Sequence, residues 1–88
     1  MDKSINKLTK KTAITPKQCK AARDLIGWKQ SDLSNKSEIG ESTIADFERG
    51  VRTPFARTLR DIRITLEEEG IEFLNNDKGI GVIELHKK

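Results

Sequence analysis

The sequence predicts a mainly α fold, a compact four-helix domain closed by a C-terminal β-hairpin, and three local signals carry that expectation. Residues 30 to 50, QSDLSNKSEIGESTIADFERG, hold two short helical patterns separated by only a short turn. Two Thr-Pro pairs, Thr15-Pro16 and Thr53-Pro54, mark helix starts, because threonine caps the free N–H groups and a proline in the first helical position forfeits no hydrogen bond. After Gly70, the apolar runs Ile71 to Leu74 and Ile80 to Leu85 flank the turn-rich Asn75-Asn76-Asp77-Lys78-Gly79, a strand-turn-strand pattern.

Taken in order, residues 1 to 13 are polar and lysine-rich without helical periodicity, which predicts a mobile basic arm. The main domain is expected over 14 to 70. Its first helix is capped by Thr15, entered through Pro16, stapled by Ile14 and stopped at Gly27; Cys19, Ala22, Leu25 and Ile26 form its expected inward face. Trp28 follows as a plug between helices 1 and 2. Helix 2 spans about Gln30 to Ser37 and helix 3 about Glu41 to Arg49, with Gly50 ending it. Leu33, Ser34, Ile39, Ile44 and Phe47 then share one seam. Lys29 cannot accept a capping bond, and a left-handed Glu38 would cost about 1 to 2 kcal/mol unless Gly40 makes the bend. Helix 4 is expected to start with Thr53 as cap and Pro54 as first residue, and to carry Phe55, Leu59, Ile62 and Leu66 as its core stripe, leaving Ile64 off it. The hairpin, 71 to 88, is marginal alone, so it must lie on the helices or meet another chain.

Composition narrows the function. With 88 residues the chain is one domain, and 34% hydrophobic against 35% charged residues leaves a small core under a heavily solvated surface. One cysteine forms no internal disulfide, and with the single His86 it makes no zinc-ligand set; Cys19 reads as a small buried hydrophobe. No nucleophile-base signature is present, so neither an enzyme nor a cofactor is expected. No run approaches the roughly 20 apolar residues of a membrane span and the start lacks a signal-peptide pattern, so a cytoplasmic location is expected, with no membrane partner. Charge is uneven: residues 1 to 30 hold eight Lys or Arg against two acids, whereas residues 61 to 88 hold four against seven. The basic end suits phosphates and the acidic end should point away from them.

Opposite the seam, helix 3 shows Glu41, Ser42, Thr43 and Asp46, a polar set that packing does not require. The order of residues around it resembles the Xre-type helix-turn-helix of the phage repressor and Cro superfamily, whose bacterial members commonly read G-x-S-Q-x-x-L-A, a turn, then T-I-x-x-x-E-x-G-x-x-x-P. The matching letters are Gly27, Gln30, Leu33, Ser34, Thr43, Ile44, Glu48, Gly50 and Pro54, and the likeness runs from about Thr15 to Phe73. Lys29 and Glu38 depart from it, standing where relatives usually carry a Ser or Thr cap and a turn glycine.

The resemblance implies a phage-repressor-like domain that sets helix 3 into the major groove of double-stranded DNA, as a transcriptional regulator and commonly as a homodimer. It implies that Gln30 contacts a phosphate beside the groove, and that Glu41, Ser42, Thr43 and Asp46 meet base edges and nearby backbone. Arg49, Arg52 and Arg57 would supply backbone attraction at the groove edge. It also implies an internal Arg23–Glu48 ion pair between helices 1 and 3. No small-molecule ligand is evident. The alternative is a protein-interaction module, antitoxin-like or adaptor, favoured by the acidic C-terminal third and the acids of helix 3.

Overall fold

The computed structural model describes residues 13 to 86, so the expectation of a mobile arm falls almost wholly outside the described residues. Four helices lead into one antiparallel hairpin: α1 (Pro16–Ile26), α2 (Gln30–Ser37), α3 (Glu41–Glu48), α4 (Ala56–Glu68), β1 (Ile71–Asn76) and β2 (Gly79–Glu84). The expected mainly α class with its C-terminal hairpin is therefore the observed one.

The start of α1 is a full capping box. Thr15 Oγ1 accepts from Gln18 N–H at 3.1 Å, and Thr15 N–H donates to Gln18 Oε1 at 3.0 Å. Gln18 was not singled out in the sequence, although a Gln three residues after a threonine cap is the signature that would have found it. Its other end does more. Buried at 3% exposure, its Nε2 donates to the carbonyls of Leu74 and Gly81, both at 2.9 Å, and so latches α1 to both strands.

The inward face of α1 needs correction. Cys19 and Ala22 are fully buried, but Leu25 is 44% exposed and buried Arg23 stands in the core-facing row. Six residues beyond Cys19 is about one and two-thirds turns, which places Leu25 about 120° from Cys19, at the edge of the buried face near the end of α1.

The α2–α3 unit forms as expected. Leu33 and Ile44 are fully buried and Phe47 nearly so, while Ile39 packs on them from the turn. Glu38 itself takes the left-handed conformation (φ 62°, ψ 32°), donating its N–H to Ser34 O at 2.8 Å, and Gly40 stays extended. Ser34 Oγ donates across the turn to Ile39 O at 2.6 Å, which holds the bend that Glu38 strains to make. Lys29 accepts no side-chain capping bond; instead Asp32 Oδ2 accepts from Lys29 N–H at 2.8 Å, the reciprocal half of a cap.

Helix 4 begins later than expected. Phe55 has extended backbone (φ −59°, ψ 156°) and is 86% exposed, so neither Thr53 nor Pro54 belongs to the helix and Phe55 leaves the core stripe. The buried Pro54 ring takes the inward place in this loop, which the sequence had given to Phe55. Ile62 and Leu66 are fully buried, Leu59 packs beside them, and Ile64 is exposed as its position requires.

The hairpin loop is shorter than the sequence suggested. Asn75 and Asn76 pair with Ile80 and Gly79, leaving Asp77 and Lys78 as a two-residue turn. Asn76 Oδ1 accepts from Lys78 N–H at 2.8 Å, and Gly79 (φ 149°) adopts backbone that side-chain-bearing residues resist. Alternation then points Ile71, Phe73 and Val82 at the helices.

One buried polar cluster crosses this core. Arg23 Nε and Nη2 each meet a different oxygen of Glu48 at 2.7 Å, and Arg23 Nη1 donates to Trp28 O at 2.9 Å. Cys19 Sγ donates to Glu48 Oε2 at 3.2 Å. The side chains of Arg23 and Glu48 are only 9% and 4% exposed. Burial pushes the Glu48 carboxyl up, but hydrogen bonds from Arg23, Gln30 and Cys19 outweigh it and hold the carboxyl below its ordinary range. Burial, with the carboxylate beside it, pushes the Cys19 thiol well above its usual value, which keeps it protonated as a donor.

Glu38→Gly removes the left-handed cost of about 1 to 2 kcal/mol and adds about 0.5 to 1 kcal/mol of glycine entropy, so urea unfolding should show a net gain of up to about 1 kcal/mol. Removing Glu48 alone strands a buried guanidinium and should cost about 3 to 5 kcal/mol, whereas replacing Arg23 and Glu48 together by Met and Leu should recover most of it. Because the folded carboxyl of Glu48 is depressed, its contribution is complete above the ordinary carboxylate range and is lost as pH falls through the depressed value. A stability-versus-pH profile of Glu48→Gln should lack that acid-side decline.

Candidate nucleic-acid interface

Ile44 and Phe47, sealed into the core, set which face of α3 turns inward, and the Arg23–Glu48 contact fixes its rotation. Glu41 and Ser42 are exposed, and Thr43 and Asp46 are half-buried along the same outward side. The end of α3 is a Schellman turn: Gly50 is left-handed (φ 76°), its N–H donates to Phe47 O at 2.9 Å, and Val51 N–H donates to Asp46 O at 2.9 Å. That turn reverses the chain and carries Arg52 back beside the helix.

The expected contact residues are brought together in three groups. Asp46 is hydrogen-bonded by Arg49 Nη2 and lies 3.9 Å from Arg52 Nη1. Thr43 and Arg52 line one hollow of about 330 Å³ between the turn before α3 and the entrance to α4. Gln30, at the start of α2, donates from Nε2 to Glu48 Oε1 at 3.1 Å, which ties its amide to the buried cluster. Arg57 stands apart, exposed in the first turn of α4.

Two features here were not anticipated. The i, i+3 spacing of Asp46 and Arg49 was legible as a helix-surface pair, but the Arg52 contact depends on the turn at Gly50. The engagement of Gln30 with Glu48 joins residues 18 apart, which no local pattern reveals.

A second surface lies at the other end of the chain. On the outward face of the hairpin, Leu74, Ile83 and Leu85 are 37%, 41% and 47% exposed. Ile64 of α4 is 39% exposed. No helix among the described residues is long and apolar enough to cross a membrane.

A helix-turn-helix family model matches residues 20–69, a span from within α1 to the end of α4 that includes the turn and the outward face of α3. A search of curated proteins finds no match. The match covers the seam, the Arg23–Glu48 pair and the arginine-bearing edge, over more than half of the chain. The chain belongs to the helix-turn-helix family, of the Xre/Cro type, a family of DNA-binding regulators rather than of catalysts.

Proposed function

We propose that this protein is a sequence-specific transcriptional regulator that inserts α3 into the major groove of double-stranded DNA as a homodimer, from a cytoplasmic location. The observation that carries the reading is the division of α3: one side is locked into the core, and the other presents short polar side chains with arginines at its end. A helix held in one rotation presents the same atoms to the groove each time, which readout requires. Glu41, Ser42 and Thr43 are the candidates for base edges and adjacent backbone, a carboxylate accepting from cytosine N4 and hydroxyls serving either role. Asp46 shares that face. Gln30, Arg49, Arg52 and Arg57 position the domain through phosphates.

The second copy is assigned to the C-terminal third. Supporting this are the exposed Leu74, Ile83 and Leu85 on the outer hairpin face and Ile64 on α4, beside an acidic helix end at Glu67 and Glu68 that suits a protein neighbour better than DNA. The same apolar face supports the second reading, a protein-interaction module in which DNA binding is secondary. Mobility shifts with random duplexes across a salt series separate the two, since a DNA binder shows steep salt dependence.

Arg57→Ala should weaken binding to all duplexes alike and make the slope of log K against log salt shallower by about 0.9. Changing Ser42 to Ala or Asn should shift base preference at one or two positions by about 1 to 3 kcal/mol in selection from a random pool, with thermal stability unchanged. Sedimentation of Leu74→Glu with Ile83→Glu should show a monomer that no longer favours two half-sites about 34 Å apart. A dimer that survives both changes would move the contact elsewhere.

A further inference from the structure

Asp46 occupies the sixth helical position of α3, where a base-contacting side chain was expected, yet its carboxylate already has partners. Arg49 approaches Oδ1 from one turn along the helix, and Arg52 approaches Oδ2 from the loop at 3.9 Å. The backbone enforces the second approach, because the Val51 N–H bond to Asp46 O closes the turn that carries Arg52. Exposure orders the three groups: the Asp46 side chain is 27% exposed, against 66% for Arg49 and 59% for Arg52. The two arginine side chains are therefore the more exposed members of the cluster and the Asp46 side chain the less exposed.

We propose that Asp46 is a positioning residue rather than a base reader: it holds Arg49 and Arg52 as a pair at the end of α3 and offsets part of their charge. The proposal rests on the DNA-binding reading above. A guanidinium carries five N–H groups, so each arginine keeps donors for phosphate while paired with Asp46. A pre-positioned side chain loses less rotamer freedom when it binds. The offset acts in the other direction on non-specific DNA, whose attraction comes almost entirely from neutralised phosphates. Asp46 thus lowers the affinity for wrong sequences more than for the right one, and specificity is that difference.

The test uses the full chain, a duplex selected from a random pool, and a duplex of unrelated sequence, each titrated across a salt series. Asp46→Asn should strengthen binding to the unrelated duplex several-fold at about 50 mM salt and steepen its salt slope by about 0.9. The ratio of selected to unrelated affinity should fall, with the melting temperature unchanged. In an Arg49→Ala, Arg52→Ala background the same change should have no effect on either duplex, because the groups through which Asp46 acts are gone. An altered preference at one base pair, with affinity for unrelated DNA and slope unmoved, would make Asp46 a reader and overturn the proposal. So would an equal gain in the background lacking both arginines, which would mean direct repulsion of phosphate. Absence of any DNA binding by the unaltered chain is a separate result, and it removes the DNA-binding reading together with this one.

Discussion

The pair of Arg23 and Glu48 is the constraint on which the remaining geometry depends. It joins α1 to α3 through two bonds of 2.7 Å, and its spare capacity reaches further: Arg23 also holds the carbonyl of Trp28, and Glu48 also takes the amide of Gln30 and the thiol of Cys19. The helices α1, α2 and α3 and the loop at Trp28 are thereby fixed relative to one another. A hydrophobic seam tolerates small rotations of a helix, because one methyl contact replaces another. A two-pronged guanidinium-carboxylate contact does not, since its donors and acceptors match in one orientation. In a small core, that directionality sets the angle at which α3 meets its surroundings, more than it adds to stability.

The interface inherits its character from this arrangement. Side chains facing the seam are buried, whereas those across α3 stand exposed or half-buried at its surface. The arginines belong to three different settings: the last turn of α3, the loop after Gly50 and the first turn of α4. Their relative placement follows from backbone turns, and the turn at Gly50 is itself saturated with hydrogen bonds. Positive charge at this end of α3 is thus held by the main chain as well as by the side chains.

Most of the fold was legible in the sequence because its signals are local. Thr15-Pro16, Gly27, Leu33, Ile44, Phe47 and Gly50 each announce a cap, a stop or a buried face within a few residues of themselves. What escaped was decided at a distance. Phe55 fitted the apolar spacing of α4, but Pro54 claimed the inward place and the helix started one residue after Phe55. Leu25 looked inward by hydrophobicity but stands 44% exposed, while the Arg23–Glu48 pair, expected only from the likeness to relatives, fills the core-facing row. At the candidate interface, the individual residues were proposed from the likeness to relatives, while the couplings of Gln30 to Glu48 and of Asp46 to Arg52 needed coordinates. Hydrophobic periodicity locates a face; it says nothing of which polar neighbours will share it.

Gln18 gives the hairpin an unusual kind of attachment. Its amide binds main-chain carbonyls of Leu74 and Gly81, atoms that every residue possesses, instead of any particular side chain. The strands are therefore moored by their peptide groups, and the side chains on their solvent side carry none of that mooring. Those positions can drift through many amino acids without casting the hairpin loose. A scaffold of this kind lets the outer surface change its choice of companion over generations while the helices beneath keep one shape.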